Sequence, residues 1–319
     1  VPEVSIVIVA YKSAEVLPRA LRSISGQRDV SFEVIVVDNS AEEGLEAVVR
    51  REIPSANVFK ATENEGFGRG NNRGFNSSHG DLVLILNPDA ALETNDGLSN
   101  VVQRFKRQPD WGMAGLLALN EKGEEEWPVA RGYPGDKRSG LDFSHLPGQI
   151  AWVVGAAMVV RRPVYQLIGG FDPDFFLYSE ETDFCLRVRQ AGWAIGHIPD
   201  VAVRHTGGAS ESGRDLGEVT RRKMSGMHRF WAKHYGPEKA VALARRDMVR
   251  AAWRLTWHGT RSLFTGKHST PWRKLRLNLG LFLESRDLIH RKGTPLSFEE
   301  ARNRHGSKPK TGSAKKHVR

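Results

Sequence analysis

Residues 4–10, VSIVIVA, are apolar and mostly β-branched apart from Ser5, and polar residues close both ends of the run. A run without period-two alternation reads as a strand buried on both faces. The pattern recurs at 33–38 (EVIVVD) and 81–86 (DLVLIL), and further strands are expected at 56–60, 113–119 and 152–160. Between them lie segments with helical spacing. In 14–27, Val16, Leu17, Ala20, Leu21 and Ile24 share a face, with Ser13 as the expected cap. Helices are also expected around 42–53, 69–77 and 95–107. Continuous apolar strands alternating with helices predict an α/β fold, a mainly parallel sheet covered on both faces.

Outward from this sheet the character changes. Residues 120–149 are rich in Gly, Pro and charge, and a loop of that length is functional or mobile. Helices are expected at 215–235, 237–258 and 272–291, followed by a disordered basic tail at 306–319. The charge divides along the same line. The chain of 319 residues has net charge +10, yet residues 201–319 carry +18 and residues 1–200 carry −8. A basic balance suits nucleic acid or an anionic membrane. No recognition helix, zinc knuckle or aromatic ribonucleoprotein pattern is present, so no nucleic acid partner is expected. Cys185 alone cannot form an internal bridge. The longest apolar run, 150–160, is far short of the roughly 20 residues of a spanning helix. No basic lead-in or cleavage site precedes residue 4, so no signal peptide is expected.

Ligands of open α/β sheets bind beyond the carboxyl ends of the strands. Three strands here end in polar groups: Tyr11-Lys12, Asp38-Asn39-Ser40 and Asn87-Pro88-Asp89. A single such Asp is ordinarily a turn or cap. Two on successive strands can take a base N–H, a sugar hydroxyl or a cation. Residues 63–74, ENEGFGRGNNRG, combine glycines that admit a close backbone approach with a helix start that favours an anion. The spacing is neither G-x-G-x-x-G nor a P-loop. Residues 178–187, YSEETDFCLR, place three carboxylates within four residues, next to Phe175, Phe176 and Leu177. Acids favour a helix's first turn in any case, but apolar neighbours would also raise a carboxyl pKa toward general-base use. His205 ends VAVRH ahead of Thr206-Gly207, where a ligand on a loop would stand.

Taken together, VSIVIVAYKS, VIVVDNS, ENEGFGRGNNRG, LILNPDA, VGAAMVVRR, GGFDPDFFLYSEETDFCLRVRQAGW and VRHTGG, in that order over residues 4–235, resemble the inverting family 2 glycosyltransferases. The rhamnosyltransferase-like branch that builds bacterial surface polysaccharides is the nearest in pattern. The resemblance implies a GT-A fold, Rossmann-like, with a C-terminal helical extension. It divides the chain into a catalytic domain at 1–235 (nucleotide-binding half 1–119, acceptor half 120–235), a basic helical region at 236–305 and the tail. It implies that Tyr11 and Asp38 hold the nucleotide base and ribose, and that Asn64, Gly66 and Asn71 flank the diphosphate. Asp89 matches the last Asp of the family's Asp-x-Asp metal motif, with Asn87 replacing the first. His205 matches a second ligand to Mn²⁺ or Mg²⁺. Glu181 matches the catalytic base, with Asp183 in reserve. The implied reaction transfers a sugar, L-rhamnose from dTDP-L-rhamnose or another hexose from its nucleotide, to a lipid-linked glycan. The acceptor is expected over 120–150 and 152–158, meeting Trp152 and Glu180. Trp127, Tyr133 and Trp152 are the aromatics available to stack on sugar rings, and Trp152 reads equally as core.

In the basic region, Arg246, Arg250, Arg254 and Arg261 share one helical stripe with Trp253 and Trp257. Val241, Met248, Ala252 and Leu255 lie opposite, expected to pack on the catalytic domain. The stripe suits the inner face of an anionic membrane or, equally, a solvated face whose tryptophans pack on the 272–291 helix. The expected location is cytoplasmic, at most peripheral on that membrane.

Overall fold

A computed structural model describes residues 1–40, 43–126, 129–207, 215–262 and 269–306. The first half builds β1 (Val4–Ala10), α1 (Leu17–Ser25), β2 (Phe32–Asp38), α2 (Leu45–Glu52), β3 (Asn57–Lys60), α3 (Gly66–Asn76), β4 (Leu82–Leu86), β5 (Ala90–Leu92), α4 (Gly97–Arg107) and β6 (Trp111–Leu119). The second builds α5 (Asp136–Ser139), β7 (Ala157–Arg161), α6 (Arg162–Leu167), α7 (Glu180–Gln190) and β8 (Ala194–His205). After these come α8 (Leu216–Tyr235), α9 (Pro237–Ser262), α10 (Thr270–His290) and α11 (Phe298–His305). The expected tail falls almost entirely on residues 307–319, outside the described residues.

The described strands form one sheet in the order β3-β2-β1-β4-β7-β6-β8-β5. β3, β2, β1 and β4 are parallel, as the continuous apolar runs predict. β7 runs against both β4 and β6, and β5 runs against β8, so the rest of the sheet is mixed. Strand direction leaves no mark on burial, because β7 is covered on both faces as β1 is. The expected strand at 152–160 starts only at Ala157; Trp152 makes an isolated bridge to Ala130.

Burial explains the elements. In β1, Val4, Ile6, Ile8 and Ala10 join one apolar layer, with Leu17, Leu21 and Ile24 of α1, while Val7 joins the opposite layer, with Phe75, Phe171 and Phe184. α1 starts at Leu17, and Ser13 does not cap it. The Ser13 hydroxyl instead bonds the backbone of Tyr11. In α3 the glycines serve packing more than ligand approach. A methyl at Gly70 would meet Val9 at 2.8 Å, and one at Gly74 would run into Val7, so the helix lies directly on β1.

A third apolar cluster ties the helices together, centred on the fully buried Phe230 and Trp231 of α8 with Leu243 and Ala244 of α9 and Leu281 of α10. The inward face of α9 is Ala240, Leu243, Ala244, Asp247 and Ala251; Val241, Met248, Ala252 and Leu255 are only half-buried. The buried stripe is rotated from the expected one, and it packs on α8, α10 and α5 rather than on the sheet. Small alanines permit that close approach. α11 opens with a capping box made by Ser297 and Glu300, and Phe298 meets Phe176 edge to face.

Candidate active site

Sheet register builds the first part of the site. Ala10 pairs with Asp38, and Asp38 with Lys60, which brings the ends of β1, β2 and β3 level. Tyr11 follows immediately, half-buried. Asp38 is buried, and its Oδ1 accepts from the Ser40 amide and hydroxyl, both at 3.1 Å. Asn39 organises the adjoining loop. Its Nδ2 donates to Asn64 Oδ1 (3.1 Å) and to the Gly66 carbonyl (3.0 Å), and its Oδ1 accepts from the Glu65 amide (2.8 Å). Asn64 also accepts from the Gly66 amide at 2.9 Å. The sequence reading passed over Asn39 as a site residue, although it stands next to Asp38. Asn71 is buried; its Nδ2 donates to the Phe67 carbonyl, and its Oδ1 has no partner among the described residues.

The second part assembles from residues far apart in sequence. β5 pairs with β8 so that Ala90 lies opposite His205, which sets Asp89 beside the imidazole. His205 Nε2 lies 3.3 Å from Asp89 Oδ1 and 3.4 Å from Asn87 Nδ2, and Nδ1 lies 2.8 Å from Glu126 Oε2. Burial opposes charge on this ring, but Asp89 and Glu126 outweigh it, so the His205 pKa is raised. Glu126 was not expected from sequence. It is one of three consecutive glutamates in the 120–149 loop, and nothing in the pattern distinguishes the one that faces His205.

The residues present fit a divalent cation. Asp89 Oδ1 and His205 Nε2, 3.3 Å apart, are an oxygen and a nitrogen donor of the kind such a cation takes, and Glu126 beside Nδ1 would be the usual outer partner of a metal-bound imidazole. Among the described residues no group of three or more His, Cys, Asp or Glu could hold a metal ion alone. Asp89 and His205 would therefore hold one only with oxygens brought by a ligand.

The third part is the turn into α7. Tyr178 and Ser179 both adopt left-handed backbone, φ 70° and 67°, immediately before Glu180 and Glu181. Each costs on the order of 1–3 kcal/mol, so the surroundings must enforce it. α8 does so: a methyl at Gly226 would collide with the Tyr178 carbonyl. On the other side, a methyl at Gly66 (φ 73°) would collide with the Phe176 carbonyl, which accepts from the Phe67 amide at 3.3 Å. Two glycines from different elements thus grip one short segment.

The three acids of α7 separate into two environments. Glu180 is 4% exposed, and its Oε2 has no partner among the described residues. Burial, and then the charge of Glu181, hold its pKa well above the ordinary glutamate value. Burial also raises Glu181, against the opposing charge of Lys223. Asp183 is fully buried, yet its carboxylate meets Arg187 Nε (2.8 Å), His234 Nε2 (2.7 Å) and Lys233 Nζ (2.6 Å). Burial alone would raise it; these partners instead hold it at about 2. Gly155 joins the second and third parts: a methyl there would sit 3.7 Å from Glu181 Cβ, and the next carbonyl, that of Ala156, accepts from the Asn87 amide at 2.9 Å.

Of the expected stacking aromatics, Trp127 lies outside the described residues. Tyr133 is not available: it is 3% exposed, packs against Phe143 and Phe230, and accepts from Arg189 Nη1. Burial pushes its phenol up to about 12. The helical cluster covers this side chain although much of the loop around it is exposed, which composition did not reveal. Trp152 is half-buried, and its Nε1 donates to the Gly132 carbonyl at 3.2 Å. Cys185 is fully buried against Met113, its thiol pushed up to about 12 by burial, and serves as core.

Similarity to known proteins agrees with this arrangement. The model of the family described as "Glycosyltransferase like family 2" matches residues 2–228. The N-acetylglucosaminyl-diphospho-decaprenol L-rhamnosyltransferase of Mycobacterium tuberculosis is 25% identical over 306 residues, 82% of this chain and 98% of that protein. The rhamnosyltransferase WbbL of Escherichia coli K12 is 23% identical over 219 residues, 61% of this chain and 80% of that one. Among solved structures, the Pyrobaculum calidifontis mannosyltransferase PcManGT in complex with GDP-Man and Mn²⁺ aligns with a TM-score of 0.53 at 17% identity, covering 91% of this chain and 74% of that one. The sheet with its polar strand ends is therefore a GT-A fold, and the chain belongs to the family 2 glycosyltransferases.

Proposed function

We propose that the enzyme transfers L-rhamnose from dTDP-L-rhamnose, with inversion, to a hydroxyl of a lipid-linked glycan on the cytoplasmic face of a membrane. Residues 1–235 form the catalytic unit in this reading, and 236–305 an appended helical region. The observation that carries it is the Gly155–Ala156 backbone. One side of it leaves room for only a methyl before Glu181, and the other holds Asn87, two residues from Asp89. The relatives named rhamnosyltransferases support the choice of donor.

Tyr11 and Asp38 bind the base and ribose in this scheme, and the loop that Asn39 fixes through Asn64 and Gly66 flanks the diphosphate. Asp89 and His205 would hold Mn²⁺ or Mg²⁺, which when bound neutralises charge on the departing diphosphate. Glu126 fixes the imidazole through Nδ1. Glu181, whose raised pKa makes it a competent proton acceptor, takes the proton from the acceptor hydroxyl as that oxygen attacks the anomeric carbon from the face opposite the leaving group. Glu180, with its unpartnered Oε2, and Trp152 orient the acceptor. Asp183, already committed to Arg187, Lys233 and the His234 ring, positions α7 against α8.

The test is a thermal-shift and product assay with dTDP-L-rhamnose, UDP-N-acetylglucosamine and GDP-mannose, each with and without Mn²⁺. Stabilisation and dTDP release confined to dTDP-rhamnose with Mn²⁺ are expected, since only a ligand of the folded state raises its melting point. A response to another nucleotide sugar alone would overturn the donor. A response to none would remove the donor site from this sheet edge.

A further inference from the structure

The outer face of α9 carries a pocket that the transfer reaction does not use. Arg138 of α5 and Arg245, Arg246 and Arg250 of α9 line it, with Val249 between them. Asp247, which pairs with Arg138 (3.2 Å) and Arg250 (2.8 Å), is buried. Arg245 and Arg246 are exposed and make no ion pair among the described residues. Four guanidinium groups around one buried, paired carboxylate leave an excess of positive charge directed outward. Guanidinium forks match phosphate oxygens.

An apolar stripe continues from this pocket. Val249, Trp253 and Trp257 follow at four-residue intervals, 67%, 69% and 54% exposed, on a helix whose opposite face is packed. They span about 12 Å along one line at 1.5 Å per residue. Arg254 runs beside them, and the Arg261 guanidinium lies 5.8 Å from the Trp257 ring centre. Neither tryptophan packs on α10 in the way a solvated face with tucked aromatics would require. Between residues 239 and 283 there are ten Lys or Arg and a single Asp. Large exposed aromatics in a row mark a contact surface, and this charge selects an anionic one. A stripe on a convex helix offers no groove to enclose a nucleic acid strand. It suits a plane in which tryptophan rings lie at headgroup level and arginines meet phosphate.

We propose that this face of α9 docks on an anionic phospholipid surface, with a lipid phosphate seated among Arg138, Arg245, Arg246 and Arg250 and with Trp253 and Trp257 at headgroup depth. The proposal deepens the reading of a lipid-linked acceptor. Its test involves no sugar transfer, so either reading can fail alone.

The experiment is co-flotation of the full chain with vesicles of phosphatidylcholine alone and of phosphatidylcholine mixed with phosphatidylglycerol. Binding to the mixed vesicles only is expected. The exposed double variant Arg245→Gln/Arg246→Gln should weaken it by roughly fivefold for each charge removed. Trp253→Ala/Trp257→Ala should weaken it with unchanged melting temperature. Equal binding to neutral vesicles, or undiminished binding by the arginine variant, would overturn the proposal. So would tighter binding to single-stranded RNA lost through the same residues.

Discussion

Glu180, Glu181 and Asp183 put three carboxyls within four residues at the start of α7, yet their surroundings differ. Glu181 lies near Gly155, and burial lifts both glutamates above the ordinary carboxyl range. Asp183 is more deeply buried than Glu181 but faces Arg187, Lys233 and His234, and it stays ionised down to about 2. Burial raises a carboxyl pKa, and the partners decide whether that survives. The left-handed turn at Tyr178–Ser179 leads directly into the two glutamates, while Asp183 reaches Lys233 and His234 of α8.

If this division is right, Glu181→Gln removes the proton acceptor and nothing else. Transfer should fall by about 10²–10⁴, while donor affinity, read by calorimetry with Mn²⁺, stays within about twofold. A parallel loss of donor binding would place Glu181 on the donor side and end the distinction. Asp183→Asn should act on folding. Unpairing Arg187 and Lys233 costs about 3–5 kcal/mol, seen as a lower denaturation midpoint. In the wild type this contribution is complete above about pH 4, the ordinary aspartate range, and is lost as pH falls toward about 2. An acid limb that is the same in wild type and variant would break the comparison. Glu180→Gln should give the smallest effect, with the opposite sign. A carboxyl whose folded pKa is raised weakens the fold as pH climbs from the ordinary glutamate value, about 4.3, toward the folded one. The variant should gain stability relative to wild type with rising pH, on the order of 2–4 °C if 1 kcal/mol is recovered.

How much of this the sequence carried depends on the range of the interaction. β1, β2 and β4 were legible because burial on both faces writes an unbroken apolar run into each. The direction of β7 was not, because antiparallel and parallel strands with two covered faces look alike. β5, three residues long, is too short to show a period. Asp89 and His205 could be named from motifs, but their meeting depends on the register of Ala90 with His205, which no local pattern encodes. Glu126 and Asn39 escaped for a related reason: each acts through a partner distant in sequence. Tyr133 was misplaced because a Gly- and Pro-rich loop reads as exposed, whereas α8 and α9 cover it. The exposed Trp253 and Trp257 lie on the expected stripe, while the buried face of α9 is turned from the expected one.

The segment held between Gly66 and Gly226 has a mechanical consequence. Its two grips belong to α3, which begins at the proposed donor loop, and to α8, while its own end carries the proposed base. The parts that read the two substrates are therefore linked in series through the backbone from Phe176 to Tyr178. In that reading, settling of the donor loop would bear on Glu181 directly. A compulsory order of entry, nucleotide sugar before acceptor, would need no further moving part.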